Sequence, residues 1–281
     1  MLSYRHGFHA GNHADVLKHF VLVELLGRLA AKDKPFWYID THAGAGLYRL
    51  DAGFAEKQRE FEDGIGRLWL AETPAAALKT YLDLVRTLNS GTALRRYPGS
   101  PWIARALSRS QDRLWLFELH PADAESLEQH VAAHDRRVRV QRADGFAGMK
   151  ALLPPAPRRA LTLIDPSYEL AEDYNKVVGA LREALARFAT GIVMIWYPML
   201  RNRDADSLPE RLRQVAGDRW LDVRLTVRPR TGDRPGLYGS GVFIANPPFG
   251  LADTLRSAMP ELVELLGDDG NAGYELAFET P

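Results

Sequence analysis

The chain has 281 residues, 46% of them hydrophobic, which is enough to bury one large core or one core with an inserted subdomain. Its 36 basic and 36 acidic residues give a formal net charge of zero, so the composition indicates no global attraction to nucleic acid. Cysteine is absent, which excludes disulfides, thiolate metal sites and cysteine nucleophiles.

The first residues of the chain are polar and do not have the pattern of a secretory signal peptide. No apolar run approaches the roughly 20 residues that a membrane-spanning helix needs. From these two observations we expect a cytoplasmic protein that has no membrane partner.

An irregular tail is predicted for the first dozen residues, and a helix that ends near Ala31 follows it. Asn12 can cap this helix, and Asp15 three residues later would complete a capping box. A strand is predicted over 36–40. Residues 50–96 look helical and amphipathic and contain no strand candidates, so we interpret them as an inserted helical subdomain.

The rest of the chain alternates between strands and helices. The predicted strands cover 114–118, 138–144, 161–165 and 191–197, and the predicted helices cover 101–108, 122–134 and 175–188. Two late strands, over 221–227 and 241–245, are expected to form an antiparallel hairpin. This alternation indicates a mostly parallel α/β sheet. The main domain would then comprise residues 1–49 and 97–281.

A glycine-containing loop, Asp40-Thr-His-Ala-Gly-Ala-Gly46, follows the first predicted strand. Glycines in such a loop let the backbone turn sharply and approach a ligand closely. A dinucleotide-binding fingerprint would need a third glycine, and its absence disfavours a nicotinamide oxidoreductase. The spacing instead resembles the loop of class I S-adenosylmethionine methyltransferases, with His42 in place of the first glycine.

Four successive predicted strands end in an acid: Asp40, Glu118, Asp144 and Asp165. Burial alone does not require this pattern, because a lone buried carboxylate is costly. In a methyltransferase sheet the second acid binds the ribose hydroxyls of the cofactor, the third lies near its adenine, and the fourth belongs to the substrate amine. We therefore interpret the four acids as the edge of a cofactor cleft. The alternative is four unrelated turn acids that face solvent.

The last of these acids opens the tetrapeptide Asp165-Pro166-Ser167-Tyr168. It offers a carboxylate, a rigid turn with an unbonded carbonyl, and an aromatic ring. Together these groups suit a flat heterocycle that is held by its exocyclic amine, with Tyr168 stacked on the ring. The alternative is an ordinary Asp-Pro turn at the end of a strand.

Histidines are concentrated at the start of the chain: of eight in total, five lie within the first 42 residues, namely His6, His9, His13, His19 and His42. Imidazoles can form zinc sites, but this spacing gives no helical histidine pair with a carboxylate ligand. We expect no metal, and interpret the segment as a lid that contacts cofactor and nucleic acid.

Asn246-Pro-Pro-Phe249 follows the last predicted strand and looks like an amine-methylating motif when it is taken alone. It lies beyond the predicted hairpin, far from the glycine loop in topological order. We therefore interpret it as a structural turn.

Several blocks of the sequence closely resemble one family, the bacterial 23S ribosomal RNA adenine-N6 methyltransferases. These blocks are residues 1–20, the loop 40–46, Tyr97-Pro-Gly-Ser-Pro101 and Ala143-Asp-Gly-Phe146. The resemblance covers essentially the whole chain. It implies a class I, Rossmann-like fold with a mostly parallel seven-stranded sheet and an antiparallel hairpin. It also implies S-adenosylmethionine as methyl donor, S-adenosylhomocysteine as product, and an adenine of 23S RNA as target.

The resemblance also implies roles for individual residues. Asp165, Pro166 and Tyr168 would be catalytic, and Tyr4, His6 and Lys18 would engage RNA or shape the substrate pocket. The family motif has proline where this chain has Ser167. The implied cofactor contacts are His19, His42, Gly44, Ser100, Glu118, Asp144, Gly145 and Asp165.

Two kinds of alternative remain open at this point. An adenine-N6 methyltransferase acting on DNA, or a methyltransferase acting on a protein glutamine, would keep the fold and the cofactor but change the substrate. A non-catalytic RNA-binding protein would need only the basic N-terminal segment, and would bind RNA without binding S-adenosylmethionine. For the enzyme itself we expect a monomer.

Overall fold

Eight strands form one sheet at the centre of the protein. The computed structural model describes residues 5–71, 75–230, 236–268 and 270–279. The strands are β1 (Trp37–Asp40), β2 (Leu47–Arg49), β3 (Arg96–Pro98), β4 (Arg113–Phe117), β5 (Val138–Gln141), β6 (Ala160–Ile164), β7 (Ile192–Met199), β8 (Trp220–Thr226), β9 (Gly239–Ala245) and β10 (Gly273–Glu279). The short strands β2 and β3 pair with each other outside the large sheet.

The order across the large sheet is β5-β4-β1-β6-β7-β9-β8-β10. Neighbouring strands from β5 to β7 are parallel, whereas β9 is antiparallel to both β7 and β8. The predicted α/β fold and its late hairpin are therefore confirmed. After β1 the chain builds one side of the sheet through β4 and β5, and then the other through β6 and β7. Ligands of open α/β sheets bind at such a switch point, outside the carboxyl ends of the strands.

One strand of the large sheet was not predicted. The resemblance implied seven strands, and Gly273–Glu279 adds an eighth at the edge of the sheet beside β8. This strand is mostly exposed, and its longest apolar run is only the three residues 276–278. Edge strands of this kind leave a weaker hydrophobic signal than buried parallel strands do.

Helices cover both faces of the sheet. They are α1 (His13–Ala30), α2 (Phe54–Gln58), α3 (Ile65–Trp69), α4 (Ala76–Thr87), α5 (Ser100–Leu107), α6 (Pro121–Leu127), α7 (Gly145–Leu152), α8 (Ala171–Arg187), α9 (Arg203–Ala216) and α10 (Leu251–Leu266). Helices α1, α4, α5 and α10 share one hydrophobic cluster, and α7, α8 and α9 share the other. Every residue of β6 is buried, with Leu163 in the first cluster and Ile164 in the second. This two-sided burial explains the unbroken apolar run before Asp165.

The region 50–96 is helical, as predicted, with α2, α3, α4 and a short 3-10 turn. Its apolar residues, such as Ile65 and Leu82, belong to the same cluster as Phe20 of α1. Strand β3 begins at the last residue of the region, which the sequence did not indicate because three residues are too few to show a period. The division into two domains stays a prediction.

Helix α1 begins with the predicted cap: the Asn12 side chain accepts the backbone N–H groups of Ala14 and Asp15. The predicted capping box does not form. The Asn12 N–H already donates to the His9 carbonyl, and Asp15 instead accepts the N–H of Gly11. Among the described residues, no helix is long and apolar enough to cross a bilayer.

Replacing the cap tests how far α1 depends on it. Asn12→Ala removes the acceptor of two backbone N–H groups, and we expect the free energy of unfolding to fall by about 1–2 kcal/mol in urea titrations. Asn12→Ser keeps a capping oxygen but loses the amide contact with Glu60, so it should be the milder variant. Equal losses in the two variants would contradict the assignment of the effect to the cap.

Candidate active site

A cavity of about 950 Å³ lies at the carboxyl ends of the central strands. Its size falls within the roughly 300–1,000 Å³ that is typical of small-molecule sites. Most of the predicted site residues line it: His6, Lys18, His19, His42, Gly44, Ser100, Glu118, Asp144, Gly145, Asp165 and Pro166. Tyr4 lies outside the described residues, and Tyr168 does not line the cavity.

The glycine loop is joined to the acid at the end of β4. Gly44 has a φ of 61°, a left-handed conformation that favours glycine, and its N–H donates to Glu118 Oε2 over 2.8 Å. The other carboxylate oxygen accepts the N–H of His120 at 2.7 Å. Burial raises the pKa of Glu118. Because a carboxylate has about four acceptor positions, Glu118 can still accept hydroxyl groups from a ligand.

Asp40 does not line the cavity but supports the glycine loop from the protein interior, where it accepts the N–H of His42. It is fully buried, and its Oδ2 accepts the hydroxyl hydrogens of Tyr38 and Ser100, each at 2.7 Å. Burial raises the pKa of Asp40 to about 6. The first of the four strand-end acids is therefore a structural anchor.

The acid at the end of the β5 segment starts a helix. Asp144 is exposed at the cavity and caps α7 by accepting the N–H groups of Phe146 and Ala147. A Cβ at Gly145 would come within 1.9 Å of the Thr41 carbonyl oxygen, so only glycine fits there. This close packing holds the start of α7 against the loop after β1.

Lys18 is placed between two carboxylates. Its Nζ lies 2.7 Å from Asp165 Oδ2 and 2.8 Å from Asp15 Oδ1, and its side chain is only 4% exposed. Burial alone would lower the pKa of Lys18, but the two carboxylates outweigh it and raise that pKa. Lys18 is therefore a buried cation that fixes the orientation of Asp165.

Asp15 is a site residue that sequence reasoning missed, since the sequence indicated only a role at the helix cap. It is buried, and besides Lys18 its carboxylate contacts His6 Nε2 and the N–H of Gly11, each at 2.9 Å. Burial alone would raise the pKa of Asp15, but His6 and Lys18 outweigh this and hold it well below its usual range. The available signal was the spacing of Asp15, Lys18 and His19, which places the three on one helix face.

His19 and His42 line the cavity and are neutral at physiological pH. Burial lowers the pKa of His19 to about 3 and that of His42 to about 4. His19 Nδ1 lies 2.7 Å from the Tyr97 hydroxyl, and His42 Nδ1 lies 2.8 Å from Thr41 Oγ1. Within the part of the chain that the structure describes, no group of three or more histidines and acids could hold a metal ion.

Tyr168 does not present its ring to the cavity, contrary to the expectation that it stacks on a base. It is 6% exposed, and its hydroxyl donates to the Trp196 carbonyl over 2.7 Å. Its ring packs against Tyr174, with the ring centroids 4.9 Å apart. The expectation was wrong because Tyr168 has a φ of 54°, and this turn carries its ring into the core. Ser167, where the family motif has proline, does line the cavity.

The turn at 246–249 lies at the end of β9, which runs antiparallel to β7 and therefore ends at the opposite edge of the sheet. The Asn246 side chain donates to the carbonyl groups of Ala189 and Gly191. These bonds attach the turn to the segment before β7, and the turn does not line the cavity.

The lowered pKa of His42 predicts a pH dependence of stability. Above pH 6.5 the imidazole is neutral in both states and contributes nothing; below it the unfolded chain takes up the proton first. Stability is therefore lost as the pH falls from 6.5 towards 4, by up to about 1.4 kcal/mol per pH unit. In urea titrations at several pH values, His42→Asn should show a shallower loss than the native chain. Parallel profiles would contradict the prediction.

Removing the charge of Asp15 tests its place between His6 and Lys18. Asp15→Asn keeps the size of the side chain but leaves a buried cation with one carboxylate fewer, so we expect the free energy of unfolding to fall by about 3 kcal/mol. Asp123→Asn is the matched control, because Asp123 pairs with Arg5 at a partly exposed site and should cost less than about 1 kcal/mol. Similar losses for both variants would contradict the assigned role of Asp15.

Comparison with known proteins agrees with this geometry. Residues 33–279 match the family described as "Ribosomal RNA large subunit methyltransferase D, RlmJ". The chain is 44% identical to Ribosomal RNA large subunit methyltransferase J of Escherichia coli and 43% identical to the protein of that name from Haemophilus influenzae, covering 100% of each chain. A crystal structure of a Legionella pneumophila protein has a TM-score of 0.90 at 33% identity, covering 97% of this chain and 99% of that one. The chain therefore belongs to the RlmJ family of ribosomal RNA large subunit methyltransferases.

Proposed function

We propose that this S-adenosylmethionine-dependent methyltransferase modifies the exocyclic N6 amine of an adenine in 23S ribosomal RNA. One observation carries the proposal. Asp165 and Pro166 follow the buried strand β6 at the same cavity as the glycine loop, and Lys18 holds the Asp165 carboxylate in place. A carboxylate and a neighbouring carbonyl are the two acceptors that a planar amine requires. We further propose that the enzyme acts in the cytoplasm as a monomer and without a metal ion.

The cavity suits S-adenosylmethionine. Glu118 can accept the ribose hydroxyls, and the Gly44 loop lets the backbone approach the ligand. His19 and His42 are uncharged at neutral pH, so they do not repel a sulfonium cation. The contacts implied for Ser100, Asp144, Gly145 and Asp165 are compatible with their place in the cavity wall.

The residues at 165 and 166 would prepare the amine for reaction. The N6 lone pair of adenine is delocalised into the ring, which makes the amine a poor nucleophile. Asp165 and the Pro166 carbonyl would accept its two hydrogens, draw the nitrogen towards tetrahedral geometry and free the lone pair. Positioning of this kind can supply much of a rate enhancement. The bound cofactor supplies the electrophilic methyl group, and the proton lost from N6 passes to Asp165.

The N-terminal segment would shape the substrate pocket. Lys18 is buried against two carboxylates, so its contribution is to orient Asp165 rather than to contact a phosphate. His6 is bound to Asp15 in the same network and lines the cavity. Tyr4 is assigned to RNA by the resemblance alone. Because the carboxylate lies inside a cavity, the adenine must leave its base stack to reach it.

The test is methyl transfer from labelled S-adenosylmethionine to unmodified 23S RNA, with mapping of the product base. Asp165→Ala should abolish transfer while calorimetry shows that cofactor binding persists. Asp173→Asn is the matched control, since Asp173 lines the same cavity but is engaged with Lys176, and it should stay active. Full activity of Asp165→Ala would overturn the proposal. Methylation of DNA alone, or RNA binding without cofactor binding, would support the alternative functions.

A further inference from the structure

The aromatic ring beside Asp165 at the cavity wall belongs to Trp196 rather than to Tyr168. Trp196 is half-buried and lines the cavity, whereas Tyr168 is buried behind it. The two residues are linked, because the Tyr168 hydroxyl donates to the Trp196 carbonyl. The cavity wall beside Asp165 is therefore formed by Trp196 and not by Tyr168.

The register of the sheet places Trp196 next to Asp165. Ile164 of β6 pairs with Ile195 of β7, and both strands run in the same direction. Asp165 directly follows Ile164 and Trp196 directly follows Ile195, so the two residues lie side by side. Both contact Lys18: its Nζ lies 2.7 Å from Asp165 Oδ2 and 5.7 Å from the centroid of the Trp196 ring.

The wall around Trp196 differs from the cofactor side of the cavity. Pro198, on β7, and Leu200, just after it, also line the cavity. Pro166, which follows β6, lines it as well. Glu118 and Asp144 line the other end, where ribose and adenine of the cofactor are proposed to bind. An apolar wall with one large ring is the surface that an unstacked base requires.

The Trp196 indole has an unused donor. Its Nε1 is buried and has no hydrogen-bond partner within the described part of the chain. A buried donor without a partner costs free energy, so such a group calls for an explanation in a native structure.

We infer that Trp196 provides the aromatic surface on which the target adenine stacks while Asp165 holds its amine. The inference rests on the proposed function and adds a substrate-positioning residue to it. Stacking replaces the contacts that the adenine loses when it leaves the RNA stack. Tyr168 then supports this surface from behind through its bond to the Trp196 backbone.

The test compares Trp196→Leu and Trp196→Phe with Trp115→Leu. Trp115 is a matched control, because it is also half-buried with an unpartnered Nε1 but does not line the cavity. We expect Trp196→Leu to raise KM for RNA about tenfold or more, since stacking on an aromatic ring is worth about 1–3 kcal/mol per base. Trp196→Phe should restore most of the native KM. Calorimetric binding of S-adenosylmethionine should be native in all three variants.

A second measurement separates stacking from a structural role. An RNA hairpin with 2-aminopurine at the mapped target position should lose fluorescence on binding to the native chain and to Trp196→Phe, but much less with Trp196→Leu. Native KM and native quenching in Trp196→Leu would overturn the inference. Loss of quenching in Tyr168→Leu, with quenching retained in Trp196→Leu, would also overturn the inference. If the native chain methylates no adenine, the proposed function itself fails. Methylation by the native chain is therefore measured before any variant is compared.

Discussion

The candidate active site depends on one buried ion-pair arrangement, in which Lys18 joins Asp15 to Asp165. Asp15 and Lys18 are on the first helix, and Asp165 follows the fourth parallel strand in chain order, so one cation connects two distant parts of the sequence. Leaving any of these charges alone in the interior would be costly, which ties the three together. His6 joins the same network through Asp15, and the N-terminal segment is thereby attached to the reaction centre.

The parts of the site that could be predicted from sequence are those with a local signal. A predicted strand that ends in an acid marks the carboxyl end of a strand, and this placed Glu118, Asp144 and Asp165 at one edge of the sheet. Asp40 follows the same rule, but its carboxylate turns inward to Tyr38. The pattern gives the strand end and not the direction of the side chain.

The other parts depend on tertiary contacts that no local pattern reports. The spacing of Asp15 and Lys18 on α1 is a local signal for their pairing, but the contacts of this pair with His6 and Asp165 join separate parts of the chain. Tyr168 has the residue type of a stacking platform, but the backbone turn directs it into the core. Trp196 lies in an unbroken apolar strand, and only the strand register reveals that it neighbours Asp165.

The fixed positions of Asp165 and Trp196 in the sheet determine which partner must change conformation when the nucleic acid binds. Asp165 directly follows β6, Trp196 lies within the neighbouring strand β7, and Lys18 comes from a long buried helix, so the sheet and the helix fix the positions of all three. Under the proposed function it is therefore the RNA that must change conformation to bring the adenine to Asp165. The energy of extracting a base then becomes part of the selection: an adenine in a loop or bulge, already loosely stacked, is a better target than the same base within a helix.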